Sequence, residues 1–172
     1  MKNFLLKLIS LTLILSAVGL GLWLINKNIP AYGSQVILLN FEKDQPMLSR
    51  LGPEVRTRVQ EGLLEILESP VYFDLRSLPW FDQAYIYLIY KELGQELEGI
   101  AIQTAPEPGW HYYLQKPVVV TESSDGFKKA VFIFDLNNFY HQRNVRRFLI
   151  STKQLEEKGG LKIQTLKIIL NR

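Results

Sequence analysis

Ala84-Tyr85-Ile86-Tyr87-Leu88-Ile89-Tyr90 contains no helix breaker, yet Tyr and Ile fill five of its seven places. Aromatic and β-branched side chains fit a pleated, half-buried surface, so the run predicts a strand. Just upstream, Val71–Leu75 (VYFDL) has the same character. Downstream, strands are expected at Ile100–Thr104, Trp110–Leu114, Val118–Thr121, Ala130–Asp135, Arg146–Ser151 and Leu161–Leu170. Val36–Phe41 adds one before them. Turn residues separate these runs: Pro106-Glu107-Pro108-Gly109, Ser123-Ser124-Asp125-Gly126 and Gly159-Gly160. One helical turn is expected at Gln154–Lys158.

Val55–Leu67 carries two patterns. Val55, Val59, Leu63 and Ile66 or Leu67 fit a helical stripe, and Pro53 suits a helix start. Val55, Thr57 and Val59 also alternate with Arg56 and Arg58, and Gly62 interrupts either pattern. The segment runs straight into β-rich sequence and is read as strand, turn, strand. The total is about nine or ten short strands with frequent turns, the spacing of a sandwich or barrel. No strand is followed by a full crossover helix, which disfavours a parallel α/β sheet. The fold class expected is all-β, an antiparallel sandwich.

The N-terminus differs from all of this. Leu8–Ile25 is 18 residues without a charge, and as a helix it rises about 27 Å, close to the hydrocarbon thickness of a bilayer. One transmembrane helix is expected, meeting the lipid bilayer through residues 4–25, with Lys7 snorkelling and Trp23 near the far interface. A cleavable signal peptide is the alternative, since Ala31-Tyr32-Gly33 offers small residues before a cut at Ser34. Domain limits follow: an anchor over 1–27, a linker over 28–35, and a sandwich over 36–172. Lys2 and Lys7 precede the run and only Lys27 flanks its other end, which predicts a single-pass membrane protein with its C-terminal domain extracytoplasmic.

Composition narrows the function classes. The 172 residues carry a formal charge of +3, and none is cysteine. A disulfide framework, a thiolate metal site and a cysteine nucleophile are excluded. Lys2, Lys7 and Lys27 account for the whole excess of charge. From Ala31 onward 17 Lys and Arg balance 17 Asp and Glu, so no nucleic-acid partner is expected. GxGxxG, GxxxxGK[ST], GxSxG and HExxH are all missing. No cofactor, metal ligand or catalytic residue is assigned.

Three aromatic loops supply the candidate ligand-binding residues. In Leu78-Pro79-Trp80-Phe81-Asp82, Trp80 is placed to stack on a sugar ring, or else caps the core with Phe81. In Trp110-His111-Tyr112-Tyr113, strand alternation puts Trp110 and Tyr112 on one face. Asn137–Arg143 gathers amides with Tyr140, His141 and Arg143, a set suited to reading hydroxyls, or else forms a solvated loop. Arg143, Arg146 and Arg147 make a small basic group, suited to anionic headgroups or an acidic glycan, or pairing with Glu156 and Glu157. Asp74, Asp82, Asp125 and Asp135 fall at strand ends or turns.

The segment Ile66–Arg76, followed by Phe81-Asp82-Gln83-Ala84 and the Tyr/Ile strand, resembles jelly-roll sandwiches of the carbohydrate-binding or galactose-binding type. It also resembles bacterial membrane-anchored proteins with an extracytoplasmic β-sandwich. The ending, Phe148–Ser151, Gly159-Gly160 and Ile163–Leu170, looks like the last strands of such modules. The resemblance implies a jelly-roll-like sandwich behind the N-terminal helix and carries over no ligand residue. The expected function is a non-enzymatic extracytoplasmic binding module for a glycan. The alternative is an accessory or scaffold subunit of a cell-envelope complex, such as a transporter or secretion assembly. A small glycoside hydrolase is a third reading and needs two facing carboxylates.

Overall fold

Strict two-residue alternation organises the β-rich part of the chain. In Val71–Arg76, Val71, Phe73 and Leu75 are buried while Tyr72 and Arg76 are exposed. In Gln83–Glu92, Ala84, Ile86, Leu88 and Tyr90 are buried and the residues between them are not. That pattern demands a layer with one dry face. The computed structural model describes residues 2–26, 33–43, 45–106, 111–156 and 159–172, and within the first helix the side chains of residues 4 and 7–22.

The chain forms two units, Met1–Gln35 and Val36–Arg172. The first is built on α1 (Lys2–Asn26). Among the described residues no helix is long and apolar enough to cross a membrane. α1 includes the charged Lys7 and the small or polar Ser10, Thr12, Ser16, Gly19 and Gly21. This corrects the expectation of a transmembrane helix over residues 4–25. Ala31 and Tyr32 of the candidate cleavage site lie outside the described residues.

The second unit is a two-sheet antiparallel sandwich. The larger sheet contains β2 (Thr57–Gln60), β3 (Leu63–Ile66), β11 (Leu161–Asn171), β5 (Gln83–Glu92), β9 (Lys128–Asp135) and β8 (Val119–Glu122), in that order. β1 (Ser34–Leu38) also pairs with β11. The smaller sheet runs β4 (Val71–Arg76), β10 (Val145–Gln154), β6 (Gln95–Gln103), β7 (Tyr112–Gln115). Consecutive strands change layer from β3 to β4 to β5 to β6, and again from β9 to β10 to β11. The chain thus crosses repeatedly between the two layers.

The ambiguous Val55–Leu67 resolves into β2 and β3. Glu61 (φ 55°) and Gly62 (φ 73°) form a two-residue hairpin turn between them. Two successive positive φ angles match the strand twist and end any helical stripe. Leu155 and Glu156 form no helical turn, and 157–158 lie outside the described residues.

The core is an aromatic lock between the layers. Phe73 of β4 and Phe148 of β10 stack with ring centroids 5.3 Å apart. Phe134 of β9, in the opposite sheet, meets Phe148 edge-on at 5.2 Å. All three are fully buried. Their mixed stacked and edge-on geometry suits the ring quadrupoles. Phe148→Ala is expected to cost about 3–5 kcal/mol of unfolding free energy, read from urea denaturation, through lost burial and the cavity left behind.

Candidate functional site

The smaller sheet turns its dry face to the core and presents its other face to solvent. On β4 that outer face carries Tyr72, Asp74 and Arg76. On β10 it carries Arg147 and Leu149, because Arg146, Phe148 and Ile150 are buried. Register sets Arg147 opposite Asp74, and Leu149 opposite both Tyr72 and Ala101.

An ion pair forms where the two strands meet. Arg147 Nε donates to Asp74 Oδ1 at 2.7 Å and Nη2 donates to Oδ2 at 3.0 Å. This two-pronged geometry matches a planar guanidinium to a planar carboxylate. The guanidinium also lies over the Tyr72 ring, 5.0 Å from its centroid. Hydrogen bonding to Asp74, opposed in part by burial, holds Arg147 above its ordinary pKa, with smaller contributions from the Asp74 charge, Tyr112 and Tyr72. Asp74 is anchored from behind: its N–H donates to Ser49 Oγ at 2.8 Å.

Around the pair lies a hollow of about 270 Å³, bounded by Asp74, Gln103, Tyr140, Gln142, Val145 and Arg147 among others. A second hollow of about 310 Å³ shares Asp74 and Val145 and continues past Ser49 and Arg76. Together they form an open trough along the β4–β10 side of the sheet. Its walls offer a carboxylate, two guanidiniums, amides and a phenol. Gln103 is nearly buried and is oriented by donating Nε2 to the Ala105 carbonyl at 2.8 Å.

The buried neighbour Arg146 holds the loop that forms one wall. Its Nη1 donates to Ser77 Oγ at 2.6 Å, while Nε and Nη2 both donate to the Leu136 carbonyl at 3.3 and 3.1 Å. Burial pushes this guanidinium below its ordinary pKa. The loop then closes in a tight turn. Arg143 (φ 51°) and Asn144 (φ 66°) sit between Gln142 and Val145, which exchange backbone hydrogen bonds at 3.0 and 2.9 Å.

The sequence candidates are scattered by this fold. Tyr140 lines the trough. Tyr112 is on the same sheet face, opposite Gln103 in register. His141 and Arg143 are exposed on the loop beyond it. Partial desolvation, and then the Arg146 charge, hold the His141 imidazole below its ordinary pKa. Trp80 is half-exposed at the β4–β5 turn, tilted against the buried Phe81, and does not line the trough. Trp110 lies outside the described residues. The basic group Arg143, Arg146 and Arg147 is not one cluster: one is exposed in a turn, one faces the core and one faces the trough. Sequence reasoning missed the pairing of Asp74 with Arg147, and missed Tyr72 and Gln103. The available signal was the alternation of VYFDLR and RRFLIS, which turns Asp74 and Arg147 outward.

No protein-family model and no curated protein matches this sequence. Among the described residues, no group of three or more His, Asp or Glu is placed to hold a metal ion.

The ion pair is about one-third exposed on each side. A double-mutant cycle of Asp74→Ala and Arg147→Ala, followed by urea unfolding, is expected to give a coupling energy of about 1 kcal/mol, screened only modestly by salt.

Proposed function

We propose that the sandwich is a non-enzymatic binding module, and that its ligand is a glycan held along the outer face of the four-stranded sheet. The observation that carries this reading is the Asp74–Arg147 pair at the centre of an open trough. A sugar presents adjacent hydroxyls, each both donor and acceptor. Planar carboxylate, guanidinium and amide groups match such pairs two bonds at a time. Tyr140 adds a phenol, and Tyr72 and Tyr112 on the same face supply rings for the apolar side of a sugar.

Asp74 and Arg147 neutralise each other, and Arg76 in the adjoining hollow leaves the trough with one net positive charge. Both Asp74 oxygens are already engaged by the Arg147 guanidinium. Trp80 has no part in this reading.

The test is a glycan array probed with the full chain, followed by calorimetry on any hit. Arg147→Ala and Tyr140→Ala are expected to weaken binding about tenfold or more, while Trp80→Ala leaves it unchanged. Failure of the wild-type chain to bind any glycan, or loss of binding only in the Trp80 variant, would overturn the reading.

A further inference from the structure

Arg76 stands in the trough without a partner among the described residues. It follows Asp74 by two positions on β4, so both side chains lie on the outer face, about 7 Å apart along the strand. Among the described residues the ion pairs join Arg50 to Glu54, Arg56 to Glu68, Lys128 to Glu92 and Arg147 to Asp74. None engages Arg76, and its guanidinium makes no hydrogen bond to a described residue. Asp74 is the one carboxylate lining either hollow, and Arg147 already holds both of its oxygens.

The hollow beside Arg76 has a fixed wall. Segment 45–49 is fastened to β4: Arg76 N–H donates to the Met47 carbonyl at 2.8 Å, and Ser49 N–H donates to the Asp74 carbonyl at 3.0 Å. Gln45 Nε2 donates to the Leu38 carbonyl at 2.8 Å. Leu48 is buried, and Met47 packs against the core. The hollow of about 310 Å³ is therefore apolar along Pro46, Met47 and Val145, with one unneutralised cation beside them.

A ligand for this place needs an anion and an apolar flank. One net positive charge matches a singly charged group, whereas a phosphate ester carries about −1.5 to −2 and would leave charge uncompensated. A planar guanidinium takes a planar carboxylate through two parallel bonds, the geometry that Arg147 and Asp74 already show in the same trough. A sugar ring that bears a carboxylate supplies both features, with its C–H face for Pro46 and Met47. Resting on the glycan reading of the trough, we infer that the ligand is an acidic glycan, a uronate-type sugar whose carboxylate is held by Arg76 while its hydroxyls meet the Asp74–Arg147 pair. The arginine that selects it is none of the three that lie close together at Arg143, Arg146 and Arg147.

The test uses the full chain and an array of matched glycans that differ only in a terminal glucuronate or a terminal glucose, with sulfated counterparts beside them. The glucuronate member of a pair is expected to bind at least about tenfold tighter, by a margin that narrows as salt is raised. Arg76→Gln should bring that ratio close to one, Arg76→Lys should keep part of it, and Arg76→Glu should reverse it. Tyr140→Ala should weaken both members alike and leave the ratio standing. Equal affinity within the pairs would overturn the inference and leave the glycan reading intact. So would a preference that survives Arg76→Gln, or tighter binding of the sulfated member. Binding to none of the glycans would overturn both.

Discussion

The register of β10 is the constraint on which the rest of the domain depends. Phe148 must sit between Phe73 on one side and Ile102 on the other, with Phe134 of the opposite sheet edge-on against it. Because side chains alternate along a strand, this one placement fixes every neighbour. Arg147 falls outward beside Asp74. Arg146 falls inward, where it binds the Leu136 carbonyl and Ser77. A slip by one residue would bury Arg147 without its carboxylate and expel Phe148. The hydrophobic lock and the polar trough are therefore two faces of one register.

Arg146 shows how the core shapes the trough wall. A guanidinium buried among neutral acceptors carries a desolvation cost that its hydrogen bonds must offset. Here the acceptors are the carbonyl at the start of the Leu136–Asn138 turn and the hydroxyl at the end of β4. Three donors thus fasten two loops that sequence separates by about sixty residues. Tyr140 and Gln142 follow directly from the fastened end, and the turn at Arg143-Asn144 returns the chain into β10. The wall is positioned from inside by a charge that never reaches the trough.

Strand positions were legible because aromatic and β-branched runs are bounded by Gly, Pro and Asp. The hairpin at Glu61-Gly62 was legible through its glycine, although the helical stripe competed with it. Layer assignment was less so, since one sheet face looks like another until the pairing is known. The trough was hidden for a different reason. Asp74 and Arg147 are 73 positions apart, and each looked ordinary in its own segment. Arg143, Arg146 and Arg147 looked like a basic cluster because they are close in sequence, but a tight turn and strand alternation send them three ways. Trp80 attracted notice as a large aromatic in a loop, yet its ring leans on Phe81, whose burial closes that end of the core. At the N-terminus, an uncharged run suggested a span of the bilayer, and among the described residues no helix is long and apolar enough for one.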